Sequence, residues 1–418
     1  MPTIKKFSAL EILDSRGRPT LAATCELVSG ARASASVPSG ASTGASEAVE
    51  LRDGDMGRYE GLGCRKAVAH IHGEIQQCLG GRSFETQSEL DRSLIALDGS
   101  PNKSRMGANA ILGVSLAFAR ASALEDKLPL YQYFADLLGL TGARLPRLTV
   151  NLFSGGKHAG NQVPIQDVLL CPLSSTSMDE SLAMVYAIYQ TAAREILKRY
   201  GMRLLRADEG GLAPPCGSID EMLSLAADCI QASGYRMGVD VALAIDVASS
   251  QFYKSGVYDL GAEQLNGSEM IDRLEEWVDT YQVTSLEDGL AEEDWRHWPD
   301  LNARIGARCL VLGDDFLCTN PERIQRAGES RSANALLLKV NQIGTLTEAA
   351  EAYRLARHFG WKVTVSARSG ETEDHWLADL AVGWQADYIK IGSITQSERL
   401  AKYNRLLEIE QDLRVDWK

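Results

Sequence analysis

The sequence lacks the features that mark several large classes of protein. Its eight cysteines are scattered, with no Cys-x-x-Cys pair and no Cys/His cluster at zinc spacing, so we expect buried thiols in a reducing compartment. Its longest mostly apolar stretch, residues 108–119, is too short to span a bilayer. The first residues lack the apolar core of a signal peptide. We therefore predict a soluble, cytoplasmic protein.

Positive charge is also in deficit. The chain has 43 Lys and Arg residues against 56 Asp and Glu residues, which gives a formal net charge of −13. A protein that binds phosphate backbones or anionic membranes needs a concentrated basic face. We therefore expect neither nucleic acid nor a membrane as partner, and we look for a small-molecule substrate.

The 418 residues divide into two parts by pattern. Residues 1–135 begin with alternating, β-rich segments at 21–28 and 33–37, followed by a loop rich in Gly and Ser and then by helical patterns from about residue 47. Strands followed by helices predict a small α+β domain.

The second part, residues 140–418, repeats an apolar strand followed by an amphipathic helix. Two of these helices begin with a capping pair, Ser218 with Glu221 and Thr345 with Glu348. This alternation predicts a parallel sheet with helices around it, and the length suits an α/β barrel.

Charged residues follow the apolar strands of the second part at intervals of 22 to 41 residues: Asp246, Glu287, Asp314, Lys339, Arg368 with Ser369, and Lys390. In a barrel these strand ends meet at the carboxyl-terminal mouth, where barrel enzymes keep their active sites. Three carboxylates without Cys or His select a hard cation such as Mg²⁺. The lysines and the arginine suit an anionic substrate, and a lysine beside other cations has its neutral, basic form favoured. We expect abstraction of a proton next to a carboxylate.

Long segments spread over the chain resemble the enolase (phosphopyruvate hydratase) family. The matching segments include Leu13-Asp-Ser-Arg-Gly-Arg-Pro-Thr20, Val37-Pro-Ser-Gly-Ala-Ser-Thr-Gly44, Gly155-Gly-Lys-His-Ala-Gly160, Asp208-Glu-Gly-Gly211, Arg368-Ser-Gly-Glu-Thr-Glu-Asp374 and Ser397-Glu-Arg-Leu-Ala-Lys402. The resemblance implies a small α+β amino-terminal domain followed by a TIM-type (β/α)8 barrel of the ββαα(βα)6 kind. It also implies a homodimer.

The resemblance further implies two magnesium ions. Asp246, Glu287 and Asp314 correspond to the ligands of one tightly held Mg²⁺. Ser42, on a loop that closes over the site in the family, corresponds to a ligand of a second Mg²⁺ that arrives with the substrate. The glycines of this loop give the backbone the freedom that a lid needs.

The catalytic groups are also implied by position. Lys339 corresponds to the base that removes the α-proton, and Glu209 to the acid that assists departure of the β-hydroxyl. Lys390 corresponds to a residue near the substrate carboxylate. Arg368 and Ser369 correspond to residues that hold the phosphoryl group.

Three positions depart from the family pattern, and two of them belong to the substrate pocket. His158, on a second closing loop, and Gln166 match residues near the substrate, but Asp167 stands where the family has glutamate. Ala367 replaces a histidine and Gly289 a proline. Asp167 and Ala367 correspond to positions around the hydroxymethyl end of the substrate, so their joint change widens the pocket and removes a donor there.

These departures leave three functions open. The first is a Mg²⁺-dependent lyase that acts on a phosphorylated or phosphonylated glycerate-like acid with altered preference, as would suit an enzyme like carboxyphosphonoenolpyruvate synthase in phosphonate and phosphinate biosynthesis. The second is an ordinary enolase that converts 2-phosphoglycerate to phosphoenolpyruvate and water. The third is a non-catalytic enolase-like binding protein. The intact predicted metal ligands and Lys339 favour an enzyme, and the changed pocket favours the first function.

Overall fold

A computed structural model describes residues 1–41, 44–201 and 205–415 of the chain. The first sheet is antiparallel, in the order β1 (Ile4–Leu13), β2 (Pro19–Leu27) and β3 (Arg32–Ser36). Alternate residues of β2 are fully buried, which is the pattern of a strand with one face on a core. The two predicted strands are found, shifted by one or two residues, and β1 precedes them. No strict alternation marks β1, because much of it is exposed.

Helices then cover one face of this sheet. Their bounds are α1 (Arg65–His70), α2 (Gln76–Leu79), α3 (Gln87–Asp98), α4 (Ala108–Glu125) and α5 (Leu130–Leu138), with a π-helical turn, Ile71–Ile75, between α1 and α2. Helix α4 is buried almost all round. It approaches β2 closely at Gly113, where an added Cβ would lie 2.9 Å from Leu21 Cδ1.

The predicted start of the helical region near residue 47 is wrong. Apart from a 3-10 turn at Tyr59–Gly61, residues 47–64 form no helix, and α1 begins at Arg65. Several glycines and aspartates in this segment favour turns over a continuous helix. The segment instead lies against the barrel, as Ala48 N donates to Gln342 O at 2.8 Å.

The second part closes into an eight-stranded barrel, which confirms the predicted fold class. Its strands are β4 (Arg147–Ser154), β5 (Asp167–Pro172), β6 (Val241–Asp246), β10 (Val283–Glu287), β11 (Leu310–Gly313), β12 (Ala335–Leu338), β13 (Lys362–Ser366) and β14 (Tyr388–Gly392). A short antiparallel sheet after β6 contains β7 (Tyr253–Lys254), β8 (Val257–Asp259) and β9 (Gln264–Leu265).

The prediction of a parallel sheet from the alternation alone needs one correction. Strand β5 runs antiparallel to both β4 and β6, whereas the other neighbouring strands of the barrel are parallel. The loop between β4 and β5 holds a single 3-10 turn. It lacks the crossover helix that usually connects two parallel strands, so the chain turns back directly.

Helices surround the barrel: α6 (Met178–Tyr200), α7 (Ile219–Ala232), α8 (Gly267–Tyr281), α9 (Trp298–Ile305), α10 (Pro321–Glu329), α11 (Val340–Ile343), α12 (Leu346–His358), α13 (Trp376–Gly383) and α14 (Ser397–Val415). Both predicted caps are present. Ser218 Oγ accepts from Glu221 N and Thr345 Oγ1 from Glu348 N, each at 3.1 Å. Within the described ranges, no helix has both the length and the apolar composition to cross a membrane.

Candidate active site

The predicted strand-end residues meet at one mouth of the barrel. Asp246 ends β6, Glu287 ends β10, and Asp314 follows β11, so three neighbouring strands each deliver a carboxylate. Lys339 follows β12, and Lys390 lies in β14. The carboxylates and Lys390 are buried. The alternation of strand and helix places these side chains at the same end, as the sequence predicted.

Lys390 is paired with two of the predicted metal ligands. Its Nζ donates to Asp246 Oδ2 at 2.7 Å and to the two carboxylate oxygens of Glu287 at 2.9 and 2.8 Å. Burial lowers the pKa of Lys390, but the attraction of Asp246 and Glu287 outweighs it and raises that pKa. Gln166 Nε2 also donates to Asp246 Oδ2, at 2.9 Å. Lys390 and Gln166 therefore lie at the ligand cluster where the sequence placed them.

Lys339 is paired with the third predicted ligand. Its Nζ lies 2.5 Å from Asp314 Oδ2, and Gln342 Nε2 donates to Asp314 Oδ1 at 2.8 Å. Thr319 Oγ1 fixes both neighbours, since it accepts from Lys339 N at 2.9 Å and donates to Gln342 Oε1 at 2.8 Å. The geometry brings a lysine and a carboxylate into direct contact at the predicted site of proton abstraction.

The charge state of Lys339 differs from the one expected from its cationic neighbours. Burial lowers its pKa, and Arg368 and Lys390 lower it too, but Asp314 raises it enough for the net shift to be upward. The contact with Asp314 therefore favours the ammonium form of Lys339. No strand-end spacing could reveal this 2.5 Å contact.

The donor set fits a hard divalent cation. Asp246, Glu287 and Asp314 offer only oxygen ligands. Burial and the repulsion of Asp246 raise the pKa of Glu287 well above its usual value, so a cation beside this group would favour its charged form. Lys390 pairs with Asp246 and Glu287, and Lys339 pairs with Asp314. Ser42, the predicted ligand of a second ion, lies outside the described residues.

Within the described ranges, two groups of three acidic or histidine side chains have potential metal-binding atoms that all lie within 4.8 Å of one another. Neither group is the predicted set of Asp246, Glu287 and Asp314. One contains Asp288, Asp314 and Asp315. Asp288 serves a structural role in it, because its carboxylate accepts from Asp314 N at 2.9 Å and from Asp315 N at 2.8 Å. Those bonds fix the turn that presents Asp314.

The other group is His158, Asp167 and Glu209, all buried. His158 Nδ1 lies 2.9 Å from Asp167 Oδ2, and Nε2 lies 3.9 Å from Glu209 Oε1. Ser154 Oγ donates to Asp167 Oδ1 at 2.6 Å, and Asn151 Nδ2 donates to Glu209 Oε2 at 3.0 Å. Both oxygens of Asp167 thus have protein partners, which orients this carboxylate toward His158.

The charges of this group place a proton on the imidazole. Burial lowers the pKa of His158, but Asp167 and Glu209 raise it, to about 9. Burial raises the pKa of Glu209, but His158 and three further cations lower it below its usual value. At neutral pH His158 is therefore an imidazolium and Glu209 a carboxylate. Glu209, which the resemblance makes the acid, therefore lies beside a ring whose protonated form is favoured.

Arg368, predicted to hold a phosphoryl group, is buried and paired with an acid. Nη1 and Nη2 donate to Glu47 Oε2 at 3.0 Å and Oε1 at 3.2 Å, and Nη1 also donates to Asn341 Oδ1 at 3.2 Å. A guanidinium that forks onto a carboxylate has the geometry to fork onto a phosphate. Glu47 therefore occupies the position in which an anionic ligand would pair with Arg368.

Ser369 connects this loop to the amino-terminal part of the chain. Its Oγ accepts from Ala41 N at 2.7 Å and from Arg16 Nη1 at 3.2 Å. Ala41 is the last described residue before the segment that contains Ser42. The predicted phosphoryl-binding residues and the predicted lid are thus adjacent.

The other two positions that differ from the family pattern, Ala367 and Gly289, have different surroundings. Ala367 lies between the phosphoryl loop and Lys390, and its N donates to Lys390 O at 2.8 Å. Its methyl group cannot donate a hydrogen bond, in contrast to the histidine of the family pattern. Gly289 packs closely, because an added Cβ would lie 2.8 Å from Leu286 Cδ2. Ala367 is therefore bonded to the backbone of a predicted site residue, and Gly289 is closely packed against Leu286.

Sequence reasoning missed several residues that the structure places at the site. Glu47 and Gln342 pair with predicted residues, and Ser154 holds Asp167. Arg399 and Lys402 lie in the segment 397–402 that resembles the family, but the resemblance implies no role for them. Motif membership could have indicated these two, whereas Glu47 gave no signal, because it was assigned to a helix that does not form.

Two family models match the chain. The one described as "Enolase, N-terminal domain" matches residues 4–134. The one described as "Enolase, C-terminal TIM barrel domain" matches residues 143–417. The two matches together extend over nearly the whole sequence, and each falls on the part of the fold that its description names.

Proposed function

Because the chain belongs to the enolase family, we propose that it is a Mg²⁺-dependent lyase that removes the α-proton of a phosphorylated or phosphonylated glycerate-like acid and eliminates the β-group. The family and the carboxylate cluster support an enolase-superfamily lyase. The observation that carries the proposal is one mouth that holds Lys339, three carboxylates and a buried arginine. These groups suit an anionic carboxylic acid whose enolate needs stabilisation.

The residues divide the chemistry as follows. Lys339 takes the α-proton on Nζ once it has given up its own proton to solvent. Arg368 and Lys390 lower its pKa, but Asp314 outweighs them, so the neutral base requires that the contact with Asp314 be broken. Arg368 and Ser369 hold the phosphoryl or phosphonyl group, with the guanidinium exchanging Glu47 for the ligand. Mg²⁺, when held by Asp246, Glu287 and Asp314, supplies positive charge next to the substrate carboxylate.

Departure of the β-group needs a proton, and His158 and Glu209 are placed to provide it. The imidazolium faces Glu209, so a proton can pass from His158 Nε2 through Glu209 to a leaving oxygen, or directly from Nε2. Asp167 supports this role by holding Nδ1. Asn151 holds the far oxygen of Glu209 in place.

We propose an altered substrate preference, as in an enzyme like carboxyphosphonoenolpyruvate synthase, rather than ordinary enolase activity. Asp167 is short and tied to Ser154, and Ala367 offers no donor. Both residues stand at positions that, by the resemblance, surround the hydroxymethyl end of the substrate. Their small side chains leave more space there, which favours a substrate with a larger β-substituent. Displacing a catalytic group by about an ångström can cost about 10²-fold in rate, which an ordinary enolase would not tolerate.

The proposal is tested with Mg²⁺ and 2-phosphoglycerate. We expect exchange of the α-proton with solvent deuterium, abolished by Lys339→Ala, together with little formation of phosphoenolpyruvate. Lys362→Ala serves as the control, since Lys362 begins β13 at the far end of the barrel and pairs with Asp387. Rapid phosphoenolpyruvate formation would establish ordinary enolase activity instead. Absence of exchange with 2-phosphoglycerate and with its phosphonate analogues would favour a binding protein.

Other properties follow from the family as proposals. We propose a cytoplasmic homodimer whose domains span residues 1–135 and 140–418, with a second Mg²⁺ bound through Ser42 when substrate is present. Sedimentation of the purified chain tests the dimer. A Ser42→Ala variant that loses the dependence of activity on a second equivalent of Mg²⁺ supports the second ion.

A further inference from the structure

Helix α14 carries two buried cations whose partners belong to the phosphoryl loop. Arg399 and Lys402 are 0% and 1% exposed. Arg399 Nη1 donates to Arg368 O at 2.7 Å, and Nη2 donates to Ser369 O at 2.7 Å. Lys402 Nζ donates to Thr372 O at 2.9 Å. The backbone that carries the two predicted phosphoryl ligands is thus held from behind by charged donors.

The same guanidinium reaches the neighbouring strand. Arg399 Nη1 also donates to Ile391 O at 3.0 Å, next to Lys390 in β14. The approach is close at Gly392, which has φ +119° and whose added Cβ would lie 2.9 Å from Arg399 Cδ. Arg399 therefore joins the phosphoryl loop to the strand that carries Lys390.

Lys402 completes the attachment at the other end of the loop. Its Nζ lies 3.0 Å from Glu371 Oε2, while Glu371 Oε1 accepts from Arg368 N at 3.2 Å. The ammonium thus holds a side chain that in turn holds the Arg368 backbone. Charge-assisted hydrogen bonds of this kind are stronger than neutral ones and resist reorientation.

We propose that Arg399 and Lys402 are positioning residues: they fix the backbone of residues 368–372 so that the side chains of Arg368 and Ser369 converge on one phosphoryl group. This inference rests on the proposed function of that pair. Both cations bond to backbone carbonyls of this loop and not to the side chains of Arg368 and Ser369. They act by removing backbone freedom that binding would otherwise have to restrict.

The geometry explains why an arginine stands at position 399. A planar guanidinium can donate to three carbonyls in a fixed fork, whereas an ammonium is a single point on a flexible stem. Arg399→Lys keeps the buried charge and loses the fork. The variant therefore separates the positioning role from the electrostatic effect of Arg399 on Glu209, whose pKa its charge helps to lower.

The test measures the affinity of inorganic phosphate by calorimetry in the presence of Mg²⁺. We expect Arg399→Lys to weaken binding at least about tenfold, as loss of a charge-assisted hydrogen bond would. Lys402→Met should weaken it less, by about threefold. Arg405→Lys is the matched control: it lies on the same helix but pairs with Asp379 and Glu408, away from the loop.

Each outcome has one meaning. Wild-type affinity in a folded Arg399→Lys variant overturns the positioning role and leaves the phosphoryl site standing. The positioning role is also overturned if Arg405→Lys weakens phosphate binding as much as Arg399→Lys does. Any substitution of a cation on helix α14 would then have the same effect. If Arg399→Lys does not fold, Lys402→Met decides by the same comparison. Failure of the wild-type protein to bind phosphate refutes the phosphoryl site itself and the proposed function with it.

Discussion

Replacing Asp167 by asparagine tests which group holds the proton at the site. The pKa of His158 is raised to about 9, against an ordinary value of about 6.5. A shift of that size corresponds to about 3 kcal/mol of preference for the charged ring. Burial opposes this charge, and Asp167, at 2.9 Å, contributes the largest share of the attraction. In Asp167→Asn the burial effect outweighs what Glu209 supplies from 3.9 Å, so we expect the pKa of His158 to fall below about 7.

The assay is a titration of the His158 ring by NMR between pH 5 and pH 10, in the wild-type protein and the variant. Because the folded-state pKa of His158 is raised, its contribution to stability is fully present below about pH 6.5 and is lost as pH rises through about 9. The Asp167→Asn variant should not show this loss of stability as pH rises through about 9. Asp387→Asn changes a carboxylate at the opposite end of the barrel and should leave His158 at about 9. A wild-type pKa near 6.5, or a variant pKa still near 9, would refute the reasoning.

Three further predictions concern the same mouth. Ala367→His combined with Asp167→Glu should raise the rate of phosphoenolpyruvate formation from 2-phosphoglycerate by about 10²-fold or more, since a positioned acid-base partner is worth that much. The rate is measured by a coupled absorbance assay, and no gain would contradict the role given to these positions. Glu47→Gln should tighten phosphate binding several-fold in calorimetry, because the acid no longer competes for Arg368; unchanged affinity would exclude that competition. Mg²⁺ at 100 times its Kd should raise the free energy of unfolding of the wild-type protein by about 2.7 kcal/mol, as measured by thermal unfolding. An equal increase in the Glu287→Gln variant would exclude Glu287 as a ligand.

The positions of the strand-end residues were predictable because they depend on local pattern. An apolar strand that ends in Asp246 or Glu287 and leads through a helix to the next strand has few arrangements other than a barrel. The helix caps at Ser218 and Thr345 were predictable for the same reason. The start of α1 was not, because the apolar residues after Glu47 suited a helix face, while the turns around them and contacts with the barrel decided the outcome.

The pairing of charges across the site could not be predicted from the sequence. Lys390 is separated by more than a hundred residues from both Asp246 and Glu287. Strand order brings these residues to one mouth, but side-chain length and burial decide which cation meets which acid. The link between Ser154 and Asp167 was hidden for a similar reason, since it depends on β5 running antiparallel to β4.

These pairs share one feature, because each cation proposed to bind an anionic ligand is paired with a carboxylate of the protein. Lys390 lies on Asp246 and Glu287, and Arg368 lies on Glu47. A cation held by the two carboxylates would compete with the ammonium of Lys390 for the same oxygens, and its binding would free the ammonium for an anionic ligand. Each binding event therefore removes part of the cost of the other. By thermodynamic linkage the effect is reciprocal, so a carboxylate ligand that pairs with Lys390 should raise the affinity for Mg²⁺ by the same factor that Mg²⁺ raises the affinity for that ligand.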